Sequence, residues 1–358
     1  MKMKLALLFL TALVAAPAFP EAPDTYAEVA DLVEAAREEW RAPAMSVAVV
    51  NDGRITWARG FGLADVENEV EARPDTVYRI ASISKPISAT AILQLMEKGQ
   101  LSLDDPVTKH LPTFPDRGLG ITLRHLLTHT SGIRHYKEGE MNLKEHFDSV
   151  EAALEIFKDD PLLFTPGTKY SYSSYAYNLL AAVVESASGL TFEAYMKERV
   201  WGPAGMTATR LEHQGEIVPH RSRQYVVAGG GGRVANAPFA DLSVKWAGGG
   251  MISTVEDLAR FAIALDQGIL LKSAALETMY EPMTLAGGTR TDYGLGWDSQ
   301  VDEKGRRWIA HGGGATGGST YILRLPEKRF AVTIAANVQD AGDRRALGMK
   351  IAELVFAR

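Results

Sequence analysis

The sequence contains no cysteine, which excludes disulfides, a cysteine nucleophile and thiolate metal sites. It also has no excess of basic residues: 38 lysines and arginines stand against 44 acidic residues, and the formal net charge is −6. A net acidic chain disfavours nucleic acid as a partner. The hydrophobic share of 46% and the charged share of 23% are ordinary for a folded globular protein with a sizeable core.

Long apolar runs are absent except at the N-terminus, where residues 5–16 follow Lys2 and Lys4. A bilayer span takes ~20 residues, so this run is short for a transmembrane helix. The basic start, the apolar run and the small residues Ala16-Pro17-Ala18 predict a signal peptide over residues 1–18, with an uncleaved membrane anchor as the alternative. We therefore expect an exported protein, periplasmic or secreted, without stable membrane insertion after cleavage.

Strand-like segments lie near both ends of the chain, and mostly helical segments lie between them. Residues 45–50 and 54–63 flank an Asp-Gly turn and predict a hairpin. Four further strands are predicted over residues 294–297, 307–311, 320–325 and 330–336, before a closing helix over 343–358. Ser253 and Glu256 form a capping-box pattern that predicts a helix start. Gly229-Gly230-Gly231-Gly232 predicts a flexible turn.

This order predicts an α/β (α+β) fold, in which an antiparallel β-sheet is flanked by helices and carries an inserted, mostly helical lobe. The catalytic domain would span residues 25–358. Its α/β/α layer would come from about 25–85 and 245–358, and its helical lobe from about 86–244. A catalytic cleft is expected at the seam between the two parts.

Ser82-Ile83-Ser84-Lys85 is the first segment whose side chains could take part in catalysis. Residues three apart on a helix share one face, and a lysine whose pKa is lowered can act as the base that a serine nucleophile needs. A serine near a helix N-terminus would also gain from the helix dipole. By itself, this pattern occurs by chance about once in a chain of this length.

Two further segments add a phenol and a glycine-rich strand. Tyr172, within Tyr170-Ser171-Tyr172-Ser173-Ser174, could exchange a proton with a leaving group, although the segment taken alone favours aromatic packing for these tyrosines. His311-Gly312-Gly313-Gly314 could bind a substrate carboxylate or carbonyl, or could simply be a bend between strands.

Taken together, the sequence resembles the serine β-lactamase and penicillin-binding-protein superfamily, most closely its class C-like branch. The resemblance covers nearly all of the chain after the signal region and rests on the segments above together with residues 78–82, 99–106, 121–133 and 202–206. Residues 245–255, which begin Lys-Trp-Ala-Gly-Gly-Gly, resemble the mitochondrial serine β-lactamase-like branch, a protease relative whose bacterial cousins are mostly esterases, peptidases or proteins of unassigned activity.

The resemblance implies roles for individual residues. It implies that Ser82 is the nucleophile, that Lys85 is its proton acceptor or relay, and that Tyr172 matches the tyrosine of the family's Tyr-x-Asn motif. His311 matches the first position of the Lys-Thr-Gly motif. The backbone N–H groups of Ser82 and Gly314 would form the oxyanion hole, with His311, Gly313 and Ser174 in the substrate-binding set.

Two departures from the family pattern bear on the substrate. Ser174 replaces the usual Asn. His311 replaces the usual Lys, and its side chain would be largely neutral at a pH above ~6.5. The first change removes an amide that would hold a substrate carbonyl. The second weakens attraction of the carboxylate that both β-lactams and D-Ala-D-Ala peptides carry. If a charged His311 holds an anionic substrate, such substrates should turn over better at mild acidity.

These patterns predict a serine hydrolase that forms an acyl-enzyme on Ser82 and cleaves small ester, amide or peptide substrates. A class C-like β-lactamase or D-Ala-D-Ala carboxypeptidase and a non-catalytic scaffold are the alternatives. No cofactor or metal is expected. His125 and His129 lack the neighbouring Glu of a zinc motif, and a strand rather than a helix follows Gly312-x-Gly314. The other histidines, including His135, are predicted to be solvated, and residues 135–148 to form either a solvated loop or a cleft rim.

Overall fold

A computed structural model describes residues 24–115, 118–228 and 232–357. The predicted signal peptide and most of the predicted glycine turn lie outside these residues. The strands are β1 Ala44–Asn51, β2 Arg54–Asp65, β3 Val70–Glu71, β4 Tyr78–Arg79, β5 Arg210–Leu211, β6 Tyr225–Ala228, β7 Arg233–Asn236, β8 Met251–Ser253, β9 Asp298–Val301, β10 Arg307–Ala315, β11 Gly318–Leu325 and β12 Phe330–Ala336.

Helices fill the middle of the chain and close both of its ends. They are α1 Asp24–Glu39, α2 Ser84–Glu97, α3 Val107–His110, α4 Leu123–Leu127, α5 Val150–Leu154, α6 Tyr175–Ser188, α7 Phe192–Met196, α8 Trp246–Gly249, α9 Val255–Asp266, α10 Ser273–Tyr280 and α11 Arg344–Phe356. Among the described residues, none of these helices has both the length and the apolar character needed to cross a bilayer.

The central sheet has seven strands in the order β3-β2-β1-β12-β11-β10-β9, and every neighbouring pair is antiparallel. The first hairpin of the chain therefore pairs directly with its last strand, with Val47 opposite Ile334. This arrangement confirms the predicted α/β class with an antiparallel sheet and flanking helices.

The sheet is buried on both faces, and alternate residues of β1 point to different cores. Val47 and Val49 pack with Val29 and Val33 of α1 and with Ile351 of α11. Ala48 and Val50 belong to the larger core on the opposite side, which continues into the helical part of the chain. Complete burial of one such aliphatic side chain contributes about 1.5–3 kcal/mol, so both layers hold the sheet in place.

A small three-stranded sheet, in the order β4-β8-β5, brings together three segments that are far apart in the chain. It carries Arg79, whose Nε donates to the Glu212 carboxylate at 2.8 Å while both side chains are buried. The same guanidinium donates to the carbonyl oxygens of Thr316 and Ala240. Arg79 thus ties the segment before Ser82 to three distant parts of the chain.

Two local predictions were wrong. Residues 294–297 form a turn closed by a hydrogen bond from the Gly294 N–H to the Trp297 carbonyl at 2.8 Å, and β9 starts at Asp298 instead. Their alternating pattern reflects burial of Leu295 and Trp297 rather than strand pairing. The cap of α9 is Thr254 and not Ser253, because Ser253 ends β8 and its hydroxyl bonds to Thr209.

Candidate active site

Ser82 lies in a 3₁₀ turn, Ala81–Ile83, immediately before α2 rather than on the α-helix itself. Ala81 has a φ of +48°, a left-handed conformation that costs of order 1–3 kcal/mol for a non-glycine residue. The turn is held by neighbours on both sides: the Ile80 N–H donates to Met251 O at 3.1 Å, and the Thr320 hydroxyl donates to Ile80 O at 2.8 Å. Contacts with β8 of the small sheet and β11 of the central sheet therefore fix the position of Ser82.

Lys85 is the partner that the turn presents to Ser82. Its Nζ lies 3.1 Å from Ser82 Oγ, 2.9 Å from Ser174 Oγ and 2.5 Å from the Gly248 carbonyl oxygen. Complete burial, and secondarily the charge of Lys245, lower the pKa of Lys85 well below its usual range. A neutral amine has two N–H donors, which Ser174 and Gly248 can accept, and its lone pair is then left for the Ser82 proton.

Gly248 is a glycine because α8 lies against the residue that begins α6. A Cβ at position 248 would lie 2.6 Å from the carbonyl oxygen of Ser174. Only a residue without a side chain lets the Gly248 carbonyl approach Lys85 this closely. The position of Lys85 therefore depends on a contact between two helices that are about 70 residues apart in sequence.

Tyr172 completes the group. The Lys85 Nζ lies 4.6 Å from the centre of the Tyr172 ring. Burial raises the pKa of Tyr172 far above its usual range, and a hydrogen bond with Ser82 only partly offsets this effect. The phenol is therefore protonated at neutral pH and able to donate. The ring of His129 packs against it with 4.2 Å between ring centres, and the His129 Nδ1 accepts a hydrogen bond from Ser173 N–H.

The glycine-rich part of β10 runs past the Ser82 turn. A side chain at Gly313 would overlap the Ile80 carbonyl oxygen and the Thr320 hydroxyl, so glycine is needed for this close approach. Gly314 has open space beside it and lies with Ser82 at a small cavity of ≈ 50 Å³. The other residues at that cavity are Ala81, His135, Tyr136, Met141, Ser174, Lys245, Gly248, Gly249 and Ala315.

His311 is buried, does not border this cavity, and is neutral. Its Nδ1 donates to the Gly312 carbonyl at 2.7 Å, so its Nε2 accepts the hydrogen bond from the Tyr293 hydroxyl at 2.9 Å. Burial and the neighbouring Lys85 lower the pKa of His311 to about 3. The hypothesis drawn from the sequence required a positively charged His311 at mild acidity. With this pKa, the His311 side chain stays neutral at mild acidity.

The ring and amine side chains at the cavity, His135, Tyr136 and Lys245, were not predicted as site residues from the sequence. The expectation of a solvated His135 is wrong, because its ring is half-buried and its Nδ1 accepts from the Ser174 N–H at 3.2 Å. Its segment is a cleft rim, held by Arg134, which pairs with Glu140 and Asp160. The sequence signal for this anchored rim was Arg134, an arginine in a segment whose other charged residues are mostly exposed.

Lys245 comes from the 3₁₀ turn before α8 and is almost fully buried. Its Nζ donates to the Met141 carbonyl oxygen and stands 5.3 Å from the centre of the Tyr136 ring. Burial, followed by the charge of Arg79, lowers the pKa of Lys245 to about 7, and Glu212 acts in the opposite direction. In the sequence, Lys245 is only the first residue of the segment 245–255, and the resemblance of that segment to a family branch assigns no role to the lysine.

The amino-acid sequence of the chain is similar to a known protein family and to several of its members. The Beta-lactamase family model matches residues 29–356. The chain is 31% identical over 406 residues to the mitochondrial serine beta-lactamase-like protein LACTB of Homo sapiens, with 87% of this chain and 74% of that protein covered. It is 30% identical to penicillin-binding protein 4* of Bacillus subtilis, with 87% and 72% covered.

Solved structures show the same likeness. The octameric penicillin-binding protein homologue from Pyrococcus abyssi superposes with a TM-score of 0.81 at 26% identity, over 93% of this chain and 78% of that one. The D-stereospecific amidohydrolase from Streptomyces sp. superposes with a TM-score of 0.76 at 28% identity, over 92% of this chain and 98% of that one.

Proposed function

The chain belongs to the beta-lactamase family, and from that premise we propose that it is a serine hydrolase that forms an acyl-enzyme on Ser82. The observation that carries the proposal is the 3.1 Å separation between Ser82 Oγ and the buried Nζ of Lys85. A hydroxyl beside a deprotonated amine is an activated nucleophile. The proposed substrates are small esters and amides, including peptides.

The proposed reaction uses only groups already at the site. Ser82 Oγ attacks the substrate carbonyl carbon, and its proton passes to the Lys85 amine. The resulting oxyanion accepts hydrogen bonds from the N–H groups of Ser82 and Gly314, and one such donor is worth about 2.7–4 kcal/mol in the transition state. The C–O or C–N bond then breaks.

The leaving alcohol or amine takes its proton from the Tyr172 phenol, and the Lys85 ammonium, whose Nζ stands 4.6 Å from the centre of the Tyr172 ring, then returns a proton to the phenolate. Water then attacks the acyl-enzyme carbonyl. The same groups run in reverse to release the acid and restore the Ser82 hydroxyl. The balance of protons therefore needs no metal or cofactor.

A β-lactamase or D-Ala-D-Ala carboxypeptidase ranks below an esterase or peptidase. Both substrates carry a carboxylate next to the leaving nitrogen, and the family's Lys-Thr-Gly lysine is replaced by His311, whose burial keeps it neutral. Ser174 accepts from Lys85 with its short hydroxyl and offers no amide to the substrate. Similarity to penicillin-binding protein 4* keeps this function as the second candidate.

A fluorophosphonate probe tests the catalytic proposal directly. We expect a covalent mass increase on Ser82 of the native protein, and no increase in Ser82→Ala or in heat-denatured protein. A native protein that takes up no label would favour the non-catalytic scaffold instead. Turnover of p-nitrophenyl esters, nitrocefin and D-amino-acid amides then ranks the activities, and nitrocefin turnover faster than ester turnover would make β-lactamase the first candidate.

We also propose that the protein is exported, on the sequence of residues 1–18 alone. The relative LACTB is named as mitochondrial, which is a statement about that protein. N-terminal sequencing of protein recovered from the native host tests the point. A mature chain that begins after Ala18 supports export, and an intact Met1 contradicts cleavage.

A further inference from the structure

Ser82 borders a small cavity whose wall includes Tyr136, Met141 and Lys245. Tyr172 and His311 lie together, with 6.4 Å between their ring centres, and neither of them is part of that wall. In the proposed reaction the Tyr172 phenol protonates the leaving group. The leaving group therefore occupies the side of Tyr172, and the acyl group occupies the cavity.

Lys245 sets the charge of that cavity. The other basic side chain at its wall, His135, is neutral, because burial lowers its pKa to about 4. Lys85 does not line the cavity, and complete burial lowers its pKa well below the usual range. Among the described residues at the cavity, Lys245 is thus the one whose side chain can be a cation near neutral pH.

No carboxylate of the described chain pairs with Lys245. Glu212, the acidic group that acts on it, is bound by Arg79 and Arg221 on its two oxygens. The Lys245 Nζ has one protein acceptor, the Met141 carbonyl, and an ammonium has three donors. A buried cation without a paired anion is costly, so this position is suited to an anion supplied by a ligand.

We propose that Lys245 binds a carboxylate carried by the acyl part of the substrate, so that the preferred substrates are esters or amides of an acid with a second anionic group. This inference rests on the proposed acyl-enzyme at Ser82. It differs from the position that the family pattern assigns to a cation, because residue 311 does not border the cavity. Lys245 is then a specificity residue that acts through substrate charge.

Two esters of equal chain length separate charge from size. The mono-p-nitrophenyl ester of glutaric acid has a free carboxylate on a five-carbon acyl group, and p-nitrophenyl pentanoate is its neutral counterpart. With uncatalysed hydrolysis subtracted, we expect wild-type kcat/KM to favour the glutarate ester. Lys245→Gln should lower that preference about tenfold, mainly through KM, as expected for loss of one charge-assisted hydrogen bond. Lys245→Arg should restore part of it.

Lys98 provides a matched control. Its Nζ stands 5.8 Å from the centre of the Tyr195 ring, much as Lys245 stands over Tyr136, but it lies at the end of α2 away from the cavity. Lys98→Gln should leave the preference unchanged. A wild-type enzyme without preference, or a Lys245→Gln enzyme that keeps it, overturns the inference. Equal loss of kcat for both esters in Lys245→Gln also overturns it, because Lys245 would then act through Lys85.

A second measurement does not depend on folding of a variant. Glutaric acid monoamide should protect wild-type Ser82 from the fluorophosphonate probe at concentrations where pentanamide does not. Equal protection by both compounds contradicts the inference while leaving the proposed hydrolase intact. Failure of the probe to label unprotected Ser82 is a different outcome, which removes the proposed function and this inference together.

Discussion

The contact between Gly248 and Ser174 offers a quantitative test of the site. Adding one methyl group as Gly248→Ala places a Cβ 2.6 Å from the Ser174 carbonyl oxygen, whereas ordinary contact begins at 3.4 Å. The two segments must therefore separate by about 0.8 Å, and this is the width of the overlap. Since both Gly248 O and Ser174 Oγ bind Lys85, its amine loses two of its positioning partners.

A misplacement of about 1 Å at a reacting group costs about 10²-fold in rate, or about 2.7 kcal/mol. We therefore expect Gly248→Ala to reduce ester kcat/KM between about tenfold and 10²-fold. Overpacking should also cost about 1–3 kcal/mol of stability. Both are measured on purified protein, by p-nitrophenyl ester hydrolysis and by urea denaturation.

Gly249→Ala is the matched control, because it makes the same chemical change one residue further along α8. Its Cβ would find its nearest neighbours at 3.8 Å, which is ordinary contact. Replacing a glycine by alanine stabilises by about 0.4–1 kcal/mol through the unfolded chain, and this effect is common to both variants. The difference in stability between them therefore isolates the overlap. If the two variants are equally stable and equally active, the proposed dependence of Lys85 on the close contact of α8 and α6 is refuted.

Three further predictions concern other parts of the molecule. Because burial and Lys245 depress the pKa of Lys85, protonation of the base should reduce kcat/KM for a neutral ester only as the pH falls to a point well below 10.5; activity that keeps increasing up to pH 10 would contradict this. Arg79→Met leaves Glu212 with Arg221 alone and should cost about 3–5 kcal/mol, so a urea midpoint close to that of wild type would count against the anchoring role of Arg79. Thr254→Ala removes the cap of α9 and should cost about 1 kcal/mol in the same assay, whereas an unchanged midpoint would show that the cap contributes little.

The sequence predicted the fold class and the convergence of Ser82, Lys85 and Tyr172, and the reason lies in motif order. Each motif alone was ambiguous. The order and spacing of the motifs together, however, resemble a family in which these side chains share one arrangement. The strands at the two chain ends were predictable because a half-buried or buried strand leaves a regular apolar pattern. Residues 294–297 show the limit of that argument, since a turn that buries Leu295 and Trp297 gives the same pattern.

Other features could not be predicted because they depend on contacts between distant segments. The charge state of His311 follows from its burial beside Tyr293 and Lys85, which no local pattern reveals. The same holds for Lys245, whose burial is completed by Met141 and Tyr136, about 100 residues earlier in the chain. At the start of α9, two adjacent hydroxyls could each have capped the helix, and pairing of β8 decided between them.

The pairing of β1 with β12 has a consequence for how the chain acquires its structure. Met45 opposes Ala336, and the Ala44 N–H donates to the side chain of Asn337 at 2.8 Å, so these contacts close loops of nearly the whole polypeptide. Such long-range contacts slow folding, because the entropy of loop closure is lost before the contacts stabilise the chain. A nascent chain released before residue 330 would leave the edges of β1 and β11 unpaired, and these edges are templates for aggregation. Efficient folding therefore requires the segment from residue 330 onward to be present before the β1–β2 hairpin pairs with a different strand.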